Sequence, residues 1–166
     1  MIFAVQCIFQ YSLHLVPVCN DPFTGPNSYK TRGTPVSATL GHFRNDTELD
    51  VAVVDEQNNA VDMVFGNGDG TFLIPGSYIV GNDPSSVISA DFNNDNKMDL
   101  AVTNQNNNTV SVLLGNGDGT FQTHNTYTVG SKPVSVISDD FNNDKKLDLA
   151  VANIGSGDVS VLMNSC

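Results

Sequence analysis

Asp91-Phe-Asn-Asn-Asp-Asn-Lys-Met-Asp99 returns 49 residues later as Asp140-Phe-Asn-Asn-Asp-Lys-Lys-Leu-Asp148. Working outward, the same step of 49 relates Asp50 to Asp99, Tyr29 to Tyr78 and Tyr127, and Pro35 to Pro84 and Pro133. The run Phe65-Gly-Asn-Gly-Asp-Gly-Thr-Phe72 recurs in that register as Leu114-Gly-Asn-Gly-Asp-Gly-Thr-Phe121. Several unrelated markers in one register mean a tandem structural repeat.

Each unit reads as four strands. Val87–Phe92 alternates, Asp99–Thr103 and Val110–Leu114 are short β-prone runs, and Phe121–Val129 alternates with polar residues as an exposed edge does. No helical period occurs. Four short strands recurring every 40–50 residues or so are the signature of propeller blades. The expected fold is all-β, a partial β-propeller of about three four-stranded antiparallel blades, near residues 35–80, 84–129 and 133–164. Residues 23–31 are expected as an outer strand, because Phe23–Tyr29 matches Phe72–Tyr78 and Phe121–Tyr127, and could complete the last blade.

Residues 1–22 read as the remnant of an earlier blade, with Ser12–Val16 in the place of a third strand, or as a degenerate signal segment. No Lys or Arg precedes Lys30, so the positive start of a secretory signal is missing. A 166-residue chain holds just over three 49-residue units, whereas propeller rings take about four to eight blades. Self-association, an open array, or a fragment of a longer product would each account for this, the fragment being favoured. The three cysteines give no Cys-x-x-Cys, and a Cys7–Cys19 bridge is neither required nor excluded.

The chain carries 18 acidic against 7 basic residues, a formal charge of −11. That charge repels nucleic acid and anionic membranes and favours a divalent cation. Asp91, Asn93, Asp95 and Asp99 place side-chain oxygens at loop positions 1, 3, 5 and 9, and Lys97 offers its carbonyl at position 7. Asp140, Asn142, Asp144, Lys146 and Asp148 repeat the set. Calcium takes six to eight hard oxygens, so a bidentate Asp99 and water would complete the shell, while magnesium would be overfilled. An EF-hand is excluded, since position 6 is Asn96 or Lys145 and position 12 is Val102 or Val151. Two calcium sites are therefore expected. At His42–Asp50 the ion is expected to be lost, because Arg44 stands at position 3 with Asp46 or Asp50 as its partner and His42 stands at position 1 as a solvated turn residue.

At these residues the chain resembles the FG-GAP repeats, also grouped as VCBS repeats, the blades of integrin-α-like β-propellers. The Asp-x-Asn-x-Asp-x-x-x-Asp loop and the Leu113–Phe121 run carry the likeness over roughly residues 23–164. The resemblance implies calcium between a blade's first and second strands, and a mostly extracellular, secreted setting.

No catalytic set emerges around His14, His42 or His124, and no Gly-x-Ser-x-Gly elbow occurs, so the chain is not expected to be an enzyme. The Gly66–Gly70 and Gly115–Gly119 runs read as tight turns using positive φ. Metal loops and these turns fall at one end of each blade. The hairpins Glu56–Ala60, Gln105–Asn108 and Gly155–Gly157, with the connectors Gly81–Asp83 and Gly130–Lys132, fall at the other. The expected function is a calcium-binding adhesion or recognition module whose opposite-face loops take a protein or glycan. Alternatives are a carbohydrate-binding accessory segment of a larger secreted enzyme and a truncated fragment without activity of its own.

Overall fold

The computed structural model describes residues 26–166. The expectations for the remnant blade, the Ser12–Val16 strand, the Cys7–Cys19 pairing and the start of the Phe23 strand fall outside those residues. Eleven strands form three antiparallel sheets, and no helix occurs among the described residues. The first blade runs β1 (Pro35–Gly41), β2 (Asp50–Asp55), β3 (Ala60–Gly66) and β4 (Phe72–Ile79) in sequential order. The second repeats it with β5 (Pro84–Ala90), β6 (Asp99–Asn104), β7 (Thr109–Leu113) and β8 (Asn125–Thr128). The third has three strands, β9 (Pro133–Asp139), β10 (Asp148–Asn153) and β11 (Asp158–Leu162). The all-β, repeated-blade expectation holds, and the propeller is partial and open.

Two details differ from the sequence reading. β8 begins at Asn125, and Phe121 meets Gly115 only through an isolated bridge. Every residue of β8 is exposed, so no buried face extends the ladder back towards Phe121. The outer strand expected over 23–31 is not formed across its described part, 26–31. Instead of completing the third blade, Tyr29 packs edge-on against Phe72 of the first, with ring centroids 5.3 Å apart.

The blades stack face to face, and this explains the apolar pattern. A middle blade is covered on both sides, so its central strands read as continuous runs rather than alternating ones. All six residues of β6 are buried. Leu100 and Val102 face the first blade beside Ala52, Val54, Val61 and Met63, while Ala101 joins Val110, Val112, Val136 and Val151 on the side of the third. Innermost strands lie side by side: the Thr39 and Ser89 hydroxyls are 3.0 Å apart, Ser37 Oγ accepts the Val87 N–H, and Ser85 Oγ donates to the Pro133 carbonyl. Phe43 and Phe92, one repeat apart, are 2% and 7% exposed under the following blade, whereas Phe141 is 42% exposed because no blade follows it among the described residues.

Candidate metal centre

Residues 91–98 join the first and second strands of their blade and curl back on themselves. Asn94 and Asn96 take φ of 59° and 63°, and Asn143 and Lys145 repeat this at 62° and 69°. Asparagine tolerates the left-handed region because its short polar side chain bonds locally. The curl turns backbone N–H groups inward onto the acids. Asp91 accepts from the N–H groups of Asp95 and Asn96, Asn93 Oδ1 from Asp95, and Asp95 Oδ1 from Lys97. Asp140, Asn142 and Asp144 make the matching set with Asp144, Lys145 and Lys146.

Asp99 is fully buried, with one oxygen 2.9 Å from the Phe92 N–H and the other 2.8 Å from the Gly115 N–H. It therefore ties the loop to the far end of the third strand. Asp148 does the same with Phe141 and Asn164, and Asp50 with Gly66. Each Asp99 oxygen therefore accepts one N–H and keeps its second lone pair for a further partner. Lys97 is also more than a carbonyl donor: its ammonium lies 3.6 Å from Asp95 Oδ2.

Burial pushes the Asp99 carboxyl above the usual carboxylate range, against the pull of the Gly115 and Phe92 N–H groups and with repulsion from Asp95 and Asp91. At Asp95 desolvation acts upward, but the Lys97 N–H, Asn93 and the Lys97 charge outweigh it and hold the carboxyl low. Asp140 is likewise held low, its desolvation outweighed by four backbone N–H groups. Hard carboxylate and amide oxygens are the donors calcium prefers. Among the described residues, however, no three His, Cys, Asp or Glu side chains converge as a ready cage. The donor chemistry fits the ion, while the loop is held by its own hydrogen bonds.

The first repeat holds a charge of its own. Arg44 sets Nη2 at 2.8 Å and Nε at 3.2 Å from the two oxygens of buried Asp50. It also reaches Asp46 at 3.1 Å and the Gly66 carbonyl at 2.7 Å, and lies over the Phe65 ring. The sequence offered Asp46 or Asp50 as partner, and the guanidinium takes both. The hydrogen bond to Asp50 raises the Arg44 pKa further, against the cost of burial. His42 sits in an exposed turn with Nδ1 3.0 Å from the Glu48 carbonyl. Thr47 occupies position 6, where a β-branched residue resists positive φ, and the curl is not repeated here.

The glycine-rich runs are turns, as read from sequence. Gly68, Gly70, Gly117 and Gly119 have φ between 76° and 86°. The second turn seats on the previous blade's loop: Gly119 N–H donates to the Phe43 carbonyl, and the Tyr78 hydroxyl to the Gly119 carbonyl.

The FG-GAP-like repeat matches residues 42–102 and again 91–151, each match opening at the first position of one loop and running into the second strand of the next blade. The chain belongs to the FG-GAP-like repeat family. No curated protein matches the chain. FG-GAP-like repeats fit an extracellular recognition or adhesion type of module, and the family is generally non-catalytic.

In these FG-GAP-like blades the opposite end carries a constellation that sequence reading missed. Asp55, Asn104 and Asn153 close the second strands at the 49-residue step. Asn104 Nδ2 donates to Thr109 and Ser111 while its Oδ1 accepts the Gly81 N–H; Asn153 Nδ2 donates to Asp158 and Ser160. Hairpin and connector are zipped together there, with Gln105 N–H on the Asp83 carbonyl and Gly155 N–H on the Ser131 carbonyl. Asn59 and Asn108 then accept from Asp83 and Lys132 of the next connector.

The first blade replaces the Asn–Ser pair by two buried acids, Asp55 and Asp62. Asp62 Oδ2 accepts the Arg32 N–H, but Oδ1 has no partner among the described residues. Ser160, its counterpart, accepts the Gly130 N–H at the equivalent place, so a hydroxyl suffices. Asp62→Ser should therefore stabilise the chain by about 1–2 kcal/mol, by removing an unpaired buried oxygen and its charge. Urea denaturation checks this, and an unchanged or lowered midpoint would count against it.

Proposed function

We propose that the chain is a non-enzymatic extracellular recognition module in which calcium at Asp91–Asp99 and Asp140–Asp148 stiffens one end of the blades. The rim of hairpins and connectors at the other end presents the ligand surface. Arg44 carries this reading. Where positions 1 and 3 have lost their acid and amide, a fixed positive charge sits among Asp46, Asp50 and the Gly66 carbonyl. The two later loops keep the counterparts of both aspartates and add Asp91 and Asn93, or Asp140 and Asn142, with no arginine to neutralise them. Acids at fixed close positions call for a counter-charge, and a divalent cation supplies it where the guanidinium is missing.

The residues that would hold the ion are Asp91, Asn93, Asp95, the Lys97 carbonyl and Asp99, with Asp140, Asn142, Asp144, the Lys146 carbonyl and Asp148 in the next blade. Their part is to cross-link a loop already pinned at Asp99 or Asp148. At the opposite rim, the exposed hairpin residues Asn58, Asn106, Asn107 and Ser156 suit hydrogen bonding to a protein surface. A chain with no Trp lacks the broad aromatic platform on which sugars stack.

If each site has a dissociation constant of roughly 0.1 mM, in the range of extracellular modules, about 1 mM calcium adds on the order of 1.4 kcal/mol per site. Melting in calcium should thus exceed melting in chelator by several degrees. Superimposable curves would sink the calcium reading.

A further inference from the structure

In the second blade's loop the side-chain oxygens take backbone N–H groups, and one of them faces a cation. Asp91 accepts at both oxygens, from Asp95 and Asn96, and Asn93 Oδ1 accepts the Asp95 N–H. Asp95 Oδ1 accepts the Lys97 N–H, while Oδ2 lies 3.6 Å from the Lys97 ammonium. One residue thus holds the acid with its backbone and answers its charge with its side chain. A metal ion that takes Asp95 Oδ2 must displace that ammonium or sit beside it, and two positive charges so close repel.

The Lys97 side chain follows a built path, which the first blade repeats. A Cβ added at Gly117 would lie 3.3 Å from Lys97 Cδ and 3.4 Å from its Cγ, so the stem runs along the Gly115–Gly119 turn. One repeat earlier, a Cβ at Gly68 would overlap the Glu48 carboxylate. In both blades, then, loop position 7 lays its side chain over the second glycine of the turn. The charges differ. The first loop has Arg44 at position 3 and Glu48 at position 7, and the second has Asn93 and Lys97. Arg44 is locked by Asp46, Asp50 and the Gly66 carbonyl. Lys97 makes a single ion pair among the described residues, with its side chain 42% exposed.

A second station lies along the same path. Asp118 follows Gly117, is exposed, and gives Thr120 only its Oδ1. The Thr120 hydroxyl and N–H hold the Asp118 carboxyl below the usual carboxylate range, and the Lys97 charge adds to them. The ammonium already acts on this acid from its place beside Asp95.

Resting on the calcium reading above, we infer that Lys97 is a displaceable counter-charge, which neutralises Asp95 in the calcium-free chain and swings along Gly117 to Asp118 when calcium binds. Its ammonium sets the affinity of the Asp91–Asp99 site, and Asp118 eases its removal. Arg44, held by three acceptors, is the permanent form of the same device.

Calorimetric titration of calcium into two variants of the full chain tests this. Asp144→Ala leaves the Asp91–Asp99 site, and Asp95→Ala leaves the Asp140–Asp148 site. In the Asp144→Ala chain, Lys97→Gln keeps the loop carbonyl and most of the stem, and should tighten calcium binding about fivefold. Asp118→Asn keeps an acceptor for Thr120 and should weaken binding about threefold, because the displaced ammonium has lost its second station. With Lys97→Gln already present, Asp118→Asn should change the affinity by less than about 1.5-fold. In the Asp95→Ala chain, Lys97→Gln should leave the third blade's affinity unaltered. Calcium binding in the Asp144→Ala chain that ignores Lys97→Gln would overturn the inference and leave the calcium reading standing. Additive effects of Lys97→Gln and Asp118→Asn, or an equal gain at the third blade's site, would do the same. Calcium heat in neither chain would overturn the calcium reading and the inference together.

Discussion

Arg44→Ala should destabilise the chain by about 3 kcal/mol, the lower end of the cost of stripping one partner from a buried ion pair. Asp50 is fully buried and would keep the Gly66 N–H but lose its bidentate guanidinium. The Gly66 carbonyl and the face of Phe65 would lose their contacts together with it. The lower end applies because the Arg44 side chain is 25% exposed, so water enters once it is gone. Thermal unfolding should fall by about 6–12 °C at 2–4 °C per kcal/mol. Calcium should not rescue Arg44→Ala, since position 1 remains His42. His42→Asp, Arg44→Asn and Thr47→Asn together rebuild the loop on the pattern of Asp91–Asp99 and relieve the β-branched residue at position 6. That triple variant should be as unstable as Arg44→Ala in chelator and recover in calcium. A loss below 1 kcal/mol for Arg44→Ala would show that the guanidinium is an ornament of the loop rather than its counter-charge.

The repeat made the blades legible because strand, loop and turn residues all keep one 49-residue step. Arg44 was legible for a similar reason, as a charge of the wrong sign at a conspicuous position. Asp99 was harder to read. Its sequence position gave it an oxygen, but its two N–H donors come from Phe92 and Gly115, which meet only when the third strand returns. Asp55, Asn104 and Asn153 escaped notice although they keep the step, because an amide at a strand end looks like an ordinary turn residue until its hairpin and connector are seen to converge. The fate of Phe141 was not legible at all. It sits in the same kind of loop as Phe92, and it is exposed because no blade packs over it among the described residues.

Asp99→Ala should be the more damaging change, by about 4 kcal/mol, and the loss should persist in chelator. Two backbone N–H groups at a buried site would lose their acceptor, each costing about 1–3 kcal/mol. Asp148→Ala removes the same two bonds in the third blade, where β11 is largely exposed, so water compensates part of the loss. Asp95→Ala provides the contrast. Its carboxylate is partly exposed and holds only local N–H groups and Lys97, so in chelator it should cost about 0.5 kcal/mol or less. In calcium it should further lose the roughly 1.4 kcal/mol of its site. Urea titrations of the three variants with calcium and with chelator therefore separate two roles that the repeated motif combines. A pinning aspartate is costly in both buffers, and a ligating one only where there is an ion to hold. If Asp95→Ala and Asp99→Ala lose equal amounts, and only in calcium, then the N–H contacts of Asp99 contribute nothing and the whole loop is a ligand set.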